Sequence, residues 1–348
     1  MVWLPSWTTY GALVAFLRGS GWAPHNLASL PHITVGGSIA TATHGSGARN
    51  GNLATAVVGL ELVRADGAQL TATPASVGAE RFAGLVVGLG ALGVVLRVAL
   101  QLVPDFALAQ TVYEGLPLDT ACARLPEVLG AGYSVSLFTT WRAPVFEQVW
   151  RKVRVEEGGA APLPASWLGA TRATAQVHPI PGAPGEPCTP QLGAPGPAAE
   201  RLPHFRFEFQ PSAGAELQSE YFVAAPDAPR ALRAVAALAG AIAPLLFVCE
   251  VRAVAGDALW MSMAQGRDSV AIHFTWRPMG EAVAALLPAL EAALAPFAPR
   301  PHWGKVSALG GEALAARYPR MAEFKALRAE LDPTGKFRNA WLDGALSL

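Results

Sequence analysis

The sequence predicts an α+β protein in which helices pack on one face of an antiparallel sheet. Beyond Pro104, stretches that alternate like strands are interleaved with Ala/Leu-rich stretches typical of helices. There is no regular strand–helix–strand repeat, so a doubly wound parallel sheet is not indicated. The predicted strands are 133–141, 146–155, 205–209 and 216–224, and the predicted helices are 228–242 and 281–297.

The elements before Pro104 follow from local patterns. Residues 8–19 predict a short amphipathic helix with Ala12, Leu13, Phe16 and Leu17 on its apolar face. Residues 54–73 predict a hairpin with an Asp66-Gly67 turn. Residues 81–103 predict a small-residue loop and then a strand, and GLGALG within them lacks the following helix and acidic residue of a dinucleotide fingerprint.

The C-terminal part, from residue 300, predicts one further helix. It covers residues 319–331, and Pro319 suits its first turn because the missing N–H costs nothing there. The terminal LDPTGKFRNAW begins with a turn signal at Asp332-Pro333. Residues 178–203 form a long Pro/Gly-rich loop whose role the sequence leaves open.

Composition excludes several classes of function. The 348 residues are 52% hydrophobic and 15% charged with a formal net charge of +0, which favours neither nucleic acid nor an anionic membrane. Cys122, Cys188 and Cys249 are isolated, and no signal peptide precedes the fold, so we predict a cytoplasmic location. The apolar run 85–103 has the length of a membrane span, but its second half alternates like a strand.

A segment rich in glycines and hydroxyls, SLPHITVGGSIATATHGSG at 29–47, is the first candidate for ligand binding. Its glycines let the backbone approach a ligand closely. Hydroxyls and free backbone N–H groups are what a pyrophosphate needs. The segment therefore predicts part of a phosphate-containing cofactor site.

Two apolar stretches carry paired polar residues at strand spacing. Glu250 and Arg252 share one face of 248–252, and His273 and Thr275 share one face of 272–276. A solvated sheet face is the simpler interpretation. A buried Glu–Arg pair is costly unless it is used, however, so we predict a pocket if the two strands are neighbours.

Two short strings near the C-terminus are also candidates. His302 to Lys305 reads HWGK, and Lys336 to Asn339 follows the Asp332-Pro333 turn. Either string could be an ordinary turn. No two histidines have the i, i+4 spacing of a helical metal site and no Cys/His cluster occurs, so we predict no metal.

Taken in order, these strings resemble the FAD-dependent alditol and xylitol oxidases of the vanillyl-alcohol oxidase superfamily, alongside the sugar-lactone oxidases. The resemblance rests on SLPHITVGGSIATATHGSG, ELVRADG, LGALGVV, YSVSLFTTWRAP, PGPAAERLPHFRFEF, ELQSEYF, CEVRAV, HFTW, RPHWGK and LDPTGKFRNAW. It implies a bipartite FAD-binding domain, incomplete at the N-terminus, and a substrate domain with a large antiparallel sheet. The implied divisions are 1–104 for the FAD-binding part, 105–300 for the substrate domain and 301–348 for a segment that returns to the flavin.

The resemblance also assigns site residues. Arg252, His273 and Lys305 are implied to be catalytic. The implied cofactor-binding residues are Ser29, Thr34, Val35, Gly36, Gly37, Thr41, Ala42, Thr43, His44, Val95 and His302. The implied polyol-binding residues are Ser29, Glu250, Arg252, Thr275 and Lys305.

The implied reaction is oxidation of a primary alcohol of an alditol to the aldehyde, with reduction of dioxygen to hydrogen peroxide. The implied partners are a polyol and dioxygen, and we expect a monomer that binds neither nucleic acid nor membrane. An aldonolactone oxidase is the nearest alternative, and a non-catalytic remnant of the fold is another. The preferred polyol and the electron acceptor stay open.

The sequence departs from the family at its start. Related oxidases open with an FAD subdomain whose GxGHS-like loop supplies the histidine that bonds covalently to the flavin, and this chain contains no such string. His44 lies in a similar setting but matches the second FAD segment. We therefore expect weak, non-covalent FAD binding or none, and interpret the start as a misplaced start codon or a truncated gene, with a split enzyme or degenerate protein as alternatives.

The covalent link can be tested by denaturation. If FAD is bound without a covalent bond, acid precipitation of the purified protein should leave the yellow colour in the supernatant. Free FAD carried through the same steps is the control. Flavin that stays with the precipitated chain would contradict the expectation.

Overall fold

The computed structural model describes residues 1–155, 164–209 and 216–348. Within these ranges the chain forms a large antiparallel sheet, a four-stranded antiparallel sheet and a two-stranded ribbon. Helices cover one face of the large sheet, and the smaller sheet carries the N-terminal segments beside the other face. The α+β prediction is confirmed.

The bounds of the elements follow in chain order. The strands are β1 (Val2–Pro5), β2 (Trp22–Ala23), β3 (Val57–Val63), β4 (Gln69–Ala72), β5 (Val94–Leu100), β6 (Val103–Pro104), β7 (Ala107–Pro117), β8 (Ser134–Thr139), β9 (Val145–Arg154), β10 (Ser166–Trp167), β11 (Ala170–Arg172), β12 (Pro195–Pro197), β13 (Leu217–Ala224), β14 (Leu246–Val254), β15 (Ser269–Trp276) and β16 (Arg300–Pro301). The α-helices are α1 (Tyr10–Leu17), α2 (Val35–Ala40), α3 (Pro74–Val77), α4 (Ala79–Val86), α5 (Leu118–Ala123), α6 (Leu125–Gly130), α7 (Ala228–Ala236), α8 (Ala239–Ile242), α9 (Gly280–Leu294), α10 (Gly311–Ala315), α11 (Met321–Leu331) and α12 (Ala340–Leu346).

The large sheet has the order β10-β11-β7-β9-β8-β14-β15-β13-β16, and β12 pairs with β7. All these pairs are antiparallel. Strands β14 and β15 are neighbours, as the predicted pocket requires. The interior of the sheet is therefore continuous across the strands that carry the candidate residues.

Alternation along these strands separates an apolar face from a polar one. On β14 and β15 the side chains of Cys249, Val251, Ile272 and Phe274 join a core cluster that also includes residues of α7 and α9. The intervening residues face away from those helices. The sequence pattern predicted this division, because residues two apart on a strand share a face.

A second core joins the small sheet to the C-terminal helices. It contains Leu60 and Val98 from the sheet, Val35 from α2, and Phe324 and Leu346 from α11 and α12. The C-terminal segment therefore returns to pack against the N-terminal one. The division into 1–104, 105–300 and 301–348 stays a prediction.

The Gly-rich segment is attached to the end of β14. Gly47 forms a parallel bridge with Val254, and its N–H donates to Ala253 O at 2.9 Å. Its φ is +139°, and a Cβ there would lie 2.5 Å from Tyr133 O. Only glycine fits such an approach, and the contact brings the segment against the polar face of the large sheet.

Several local predictions are confirmed and others are wrong. The 54–73 hairpin forms with Gly67 in its turn, and strands 133–141, 146–155 and 216–224 match β8, β9 and β13. Residues 205–209 form no strand, since their one ladder contact is a bridge from Phe205 to Cys188. Residues 81–86 are helical in α4, where Gly84 packs on the indole of Trp260.

Helix ends and one helix face also differ from the prediction. The helix predicted at 319–331 is α11, which begins at Met321, so Pro319 lies before it. Residues 228–242 divide into α7 and α8. Phe16 is 75% exposed, and the buried face of α1 consists of Tyr10, Gly11, Leu13 and Leu17.

One segment of the described chain, Gly280–Phe297, is long and apolar enough to cross a membrane by length and composition alone. It contains α9, whose Val283, Leu287, Leu290 and Leu294 pack in the core beneath the large sheet. These contacts are those of a core helix. The run 85–103 is divided between α4 and β5.

The sheet–helix core should dominate stability. Phe274 is fully buried and stacks on Trp276 with ring centroids 5.0 Å apart. Phe274→Ala should lower the free energy of unfolding by about 3–5 kcal/mol, because it removes a buried ring and leaves a cavity. Urea unfolding followed by circular dichroism measures the change, and Phe16→Ala is the matched exposed control. An equal effect of the two substitutions would contradict this assignment of the core.

Candidate functional site

The site is built on three adjacent strands that place polar residues in one row. Glu250 on β14 and Glu220 on β13 are each directly opposite His273 on the central strand β15. Arg252 and Thr275 extend the polar face by one step along their strands, in opposite directions. The predicted sharing of one face by Glu250, Arg252, His273 and Thr275 is confirmed.

Glu220 is the centre of the cluster. Its side chain is fully buried, and Lys305 Nζ donates to Oε2 at 2.5 Å. Arg252 donates to Oε1 at 2.7 Å, and His44 Nε2 lies 3.1 Å from the same oxygen. One carboxylate thus ties the Gly-rich segment, β14 and the loop after β16 to β13.

The groups that contact Glu220 determine its protonation state. Burial alone would raise the pKa of Glu220, but Lys305, His44 and Arg252 together hold that pKa well below its usual range. Burial also lowers the pKa of Lys305, and Glu220 opposes that shift. The pair is therefore a salt bridge at neutral pH.

His273 lies beside Lys305 and is neutral. Its Nδ1 is 2.7 Å from Lys305 Nζ and its Nε2 is 3.0 Å from Thr275 Oγ1. Burial, with Lys305 nearby, lowers the pKa of His273 to about 4. Because the ammonium group donates to Nδ1, the proton of the neutral ring lies on Nε2.

Glu250 is held by a second, equally buried group. His204 Nε2 lies 2.7 Å from its Oε1, and Arg252 Nε lies 3.6 Å from the same oxygen. Lys152 Nζ lies 3.3 Å from His204 Nδ1. Burial lowers the pKa of His204 to about 4, whereas Arg252 and His204 overcome the burial of Glu250 and keep its pKa well below the usual range.

These groups line a cavity of about 320 Å³, which we call the reaction cavity. The predicted site residues that line it are Ser29, Thr41, Thr43, His44, Glu250, Arg252, His273, Thr275, His302 and Lys305. Further lining residues not predicted as site residues include Phe138, His178, His204, Gln218 and Glu220. Arg252 also donates to Ser29 Oγ at 3.4 Å, which joins the Gly-rich segment to the charged cluster.

A second cavity of about 330 Å³ lies along α2. Its lining includes Thr34, Gly36, Gly37 and Val95, four further predicted cofactor residues. We call it the distal cavity. The remaining glycines of its wall, at positions 88, 90 and 93, come from the loop before β5.

Val35 and Ala42 line neither cavity, since both side chains are buried in the second core, between the small sheet and the C-terminal helices. The backbone N–H of Val35 donates to Thr8 O at 2.9 Å, and that of Gly36 donates to Ser6 O at 2.7 Å. A Cβ at Gly36 would lie 2.8 Å from Ser6 Cβ. This glycine therefore serves close packing of the chain on itself.

The residues present fit FAD. Successive parts of one segment line the two cavities, with Thr34, Gly36 and Gly37 at the distal cavity and Thr41, Thr43 and His44 at the reaction cavity. A long dinucleotide that follows this segment can reach both. The reaction cavity supplies the hydroxyls, imidazoles and cations that suit the polar edge of a flavin, and the distal cavity is glycine-rich and mostly apolar.

Three buried residues of the described chain also approach metal-site spacing. Ligand atoms of His44, Glu220 and His302 lie within 4.8 Å of one another. The Glu220 oxygens already accept from Arg252 and Lys305, so a metal cation there would face two neighbouring positive charges. We assign no metal to this trio.

Sequence reasoning missed Glu220, His204 and Lys152. Glu220 carried a usable signal, because it is a lone charge within the apolar stretch SEYFVA. Lys152 carried no such signal, because it lies among other charges in the stretch RKVR on β9. His204 had none, because its role depends on a loop contact 46 residues from Glu250.

Two family descriptions match parts of the chain. Residues 3–73 match an FAD binding domain, and residues 215–345 match the family of D-arabinono-1,4-lactone oxidase. The second range contains Glu220, Glu250, Arg252, His273 and Lys305. Both cavities thus draw on matched residues.

Whole-chain relatives agree with these matches. An alditol oxidase from Streptomyces sp. is 51% identical over 333 residues, which are 96% of this chain and 78% of that protein. L-gulonolactone oxidase from Mus musculus is 29% identical over 93% of this chain and 76% of its own length. The crystal structure of cholesterol oxidase from B. sterolicum superposes with a TM-score of 0.74 at 14% identity, covering 99% of this chain and 80% of that one, which shows the same fold.

Neutralising Glu220 should break the cluster. Glu220→Gln keeps the shape but leaves Arg252 and Lys305 without their shared anion, and we expect a loss of about 3–5 kcal/mol in unfolding free energy at pH 7. Glu114→Gln, an exposed change on β7, is the matched control. Urea unfolding measures both variants.

The pH dependence of the unfolding free energy in acid tests whether the negative charge of Glu220 is what stabilises the cluster. The pKa of Glu220 is lowered on folding. The ionised carboxylate therefore stabilises the folded state fully above the unfolded carboxyl pKa of about 4.3, and this contribution is lost as pH falls through the lower folded pKa. The difference between wild type and Glu220→Gln should therefore shrink below about pH 4. A difference that is constant from pH 7 to pH 3 would show that the charge of Glu220 is not what stabilises the cluster.

Proposed function

The chain belongs to the alditol oxidase family of FAD-dependent oxidases, and from that membership we propose how its own residues oxidise a primary alcohol of an alditol to the aldehyde. The observation that carries the proposal is the convergence of Arg252, Lys305, His273 and Glu250 on one buried cavity beside the FAD-binding segment. The chemistry that bound FAD would supply is acceptance of a hydride from the alcohol carbon, with dioxygen then taking up two electrons and two protons as hydrogen peroxide.

Arg252 is proposed to hold the reacting oxygen. Its guanidinium is buried and charged, and the pKa is raised above its ordinary value because Glu250 and Glu220 outweigh the effect of burial. As the hydroxyl loses its proton, negative charge grows on that oxygen. A preorganised cation stabilises this charge without reorganising in the reaction.

His273 is proposed to take the proton of the hydroxyl at Nδ1. The ring is neutral, and its unprotonated nitrogen is Nδ1, whose lone pair accepts from Lys305 Nζ at 2.7 Å. A substrate hydroxyl that reaches Nδ1 competes with Lys305 for this atom. Thr275 fixes the ring by its contact with Nε2 at 3.0 Å, so the base is oriented before the substrate arrives.

Glu250, Thr275 and Ser29 are proposed to bind hydroxyls further along the alditol. Ionised Glu250 accepts from two neighbouring hydroxyls more readily than a neutral group would. Ser29 Oγ lies next to Arg252, so the same segment that lines the cofactor path reaches the substrate. Thr34, Gly36, Gly37 and Val95 are proposed to hold the distal part of FAD, and Thr41, Thr43, His44 and His302 the part nearest the reaction.

An aldonolactone substrate is the alternative that one observation favours. The match of residues 215–345 to D-arabinono-1,4-lactone oxidase covers most of the charged cluster. The 51% identity to an alditol oxidase over nearly the whole chain supports the alditol more strongly. The intact cluster also argues against a non-catalytic remnant.

We further propose that the protein works as a monomer in the cytoplasm. The cysteines at 122, 188 and 249 are free and buried, which suits a reducing compartment.

The activity is tested by peroxide release from FAD-loaded protein supplied with xylitol, sorbitol or L-gulono-1,4-lactone. We expect peroxide with the alditols, and Arg252→Ala should lower kcat/KM by about 10²-fold or more because the developing oxyanion loses its cation. Arg18→Ala, at a side chain 77% exposed, is the control and should leave the rate unchanged. Turnover of the lactone alone would transfer the proposal to the aldonolactone class.

A further inference from the structure

Lys152 and His204 form a buried pair behind Glu250 that the reaction as described does not use. Lys152, on β9, has 0% exposure, and His204 has 4%. The His204 ring is enclosed by Trp150 and Phe138, with ring centroids at 5.2 and 5.5 Å in edge-to-face arrangements. A polar pair this deep in an aromatic setting needs each of its hydrogen bonds.

The hydrogen bonds of the pair are complete. Lys152 Nζ has three neighbours, Leu202 O at 2.5 Å, Pro203 O at 3.4 Å and His204 Nδ1 at 3.3 Å. Burial lowers the pKa of Lys152 to about 7. In its protonated form the group has three protons to donate, one for each of these acceptors. The two carbonyls and the imidazole belong to the consecutive residues 202–204 of one loop. The contacts of Lys152 therefore hold this loop against β9 of the large sheet.

The tautomer of His204 is determined from both sides. Glu250 is ionised and accepts only, so the 2.7 Å contact requires a proton on Nε2 of His204. The neutral ring then has no proton on Nδ1, and that atom needs a donor, which is Lys152. In the row Lys152–His204–Glu250, which we call the relay, both hydrogen bonds that link the three side chains are therefore donated toward the carboxylate.

The backbone of His204 reaches the substrate side as well. Its N–H donates to Ser29 O at 3.2 Å, and its carbonyl accepts from Thr189 N at 2.9 Å. Thr189 belongs to the Pro/Gly-rich segment 178–203 and also donates from Oγ1 to Pro203 O at 2.8 Å. The role of this segment was open from the sequence, and in the structure it supports the position of His204.

We propose that Lys152 and His204 are positioning residues that hold Glu250 in one rotamer, ionised and turned into the reaction cavity, and so determine affinity for the hydroxyls of an alditol beyond the reacting end. The proposal rests on the proposed function, since it concerns the distal part of that substrate. Arg252 Nε also approaches Glu250, at 3.6 Å from the same Oε1 that His204 contacts. Because both contacts are to Oε1, Oε2 is the oxygen that we assign to the substrate hydroxyls.

A selective effect on long substrates separates this role from general support of the fold. Propane-1,2-diol keeps a primary alcohol and its neighbouring hydroxyl but lacks the hydroxyls that Glu250 is proposed to bind. Xylitol has them. A variant that merely loosens the structure affects both substrates, whereas loss of Glu250 positioning affects xylitol.

The first test compares His204→Phe with His204→Gln in FAD-loaded protein. Glutamine can donate from Nε2 to Glu250 and accept from Lys152 at Oε1, so it should keep the xylitol KM within about threefold, whereas His204→Phe should raise it about tenfold or more, as expected for a lost hydrogen bond to a charged group. The KM for propane-1,2-diol should change by less than about twofold in either variant. Equal changes for both substrates, or a glutamine variant as impaired as phenylalanine, would overturn the proposal.

The second test does not depend on turnover. In ¹⁵N-labelled protein, the His204 ring nitrogens should show a single Nε2-protonated tautomer, and Lys152→Met should shift the Nδ1 resonance because that atom loses its donor. An unchanged spectrum in Lys152→Met would overturn the relay. If the wild type oxidises no alditol while its spectrum shows the fixed tautomer, the proposed function fails and the effect of the relay on substrate affinity fails with it, but the relay itself stands.

Discussion

The buried carboxylate of Glu220 is the interaction on which the rest of the site depends. It accepts from Lys305 and Arg252 and contacts His44, so three separate segments meet at two oxygen atoms. Two cations this close repel each other in a medium of low dielectric constant, and their shared anion makes their proximity possible. The charge arrangement that the proposed oxyanion stabilisation requires is therefore built from the side chains of the protein itself.

The large sheet lets this polar cluster coexist with a dry core. Each strand presents its even-numbered or odd-numbered residues to the helices and the others to the cavity. On β15, Phe274 and Trp276 stack in the core while His273 and Thr275 face the site. The apolar core and the polar cluster thus lie on opposite faces of the same three strands.

The sequence was sufficient where a local period carried the information. The strands of the site, the faces of Glu250, Arg252, His273 and Thr275, and the hairpin turn at Gly67 follow from spacing alone. The resemblance to a family added the cofactor and the residues along it, and the structure distributes most of those over two cavities.

The remainder required tertiary contacts. Residues 81–86 form a helix although the stretch that follows them is glycine-rich, and Gly84 within it lies against Trp260. Residues 205–209 alternate like a strand but stay in a loop, where Arg206 donates from Nε to Cys188 O at 3.0 Å. The Lys152–His204 contact joins residues 52 positions apart through that loop, and no short-range pattern reports such a pairing.

The direct alignment of Glu220, His273 and Glu250 across three strands has a consequence for how this protein can diverge. A single inserted or deleted residue in β15 would exchange the two faces of that strand, placing Phe274 in the cavity and His273 in the core. Point substitutions at alternate positions carry no such penalty. Natural variation of substrate range in this scaffold should therefore proceed by replacement within a strand of constant length, with changes of length confined to the loops that surround the cavity.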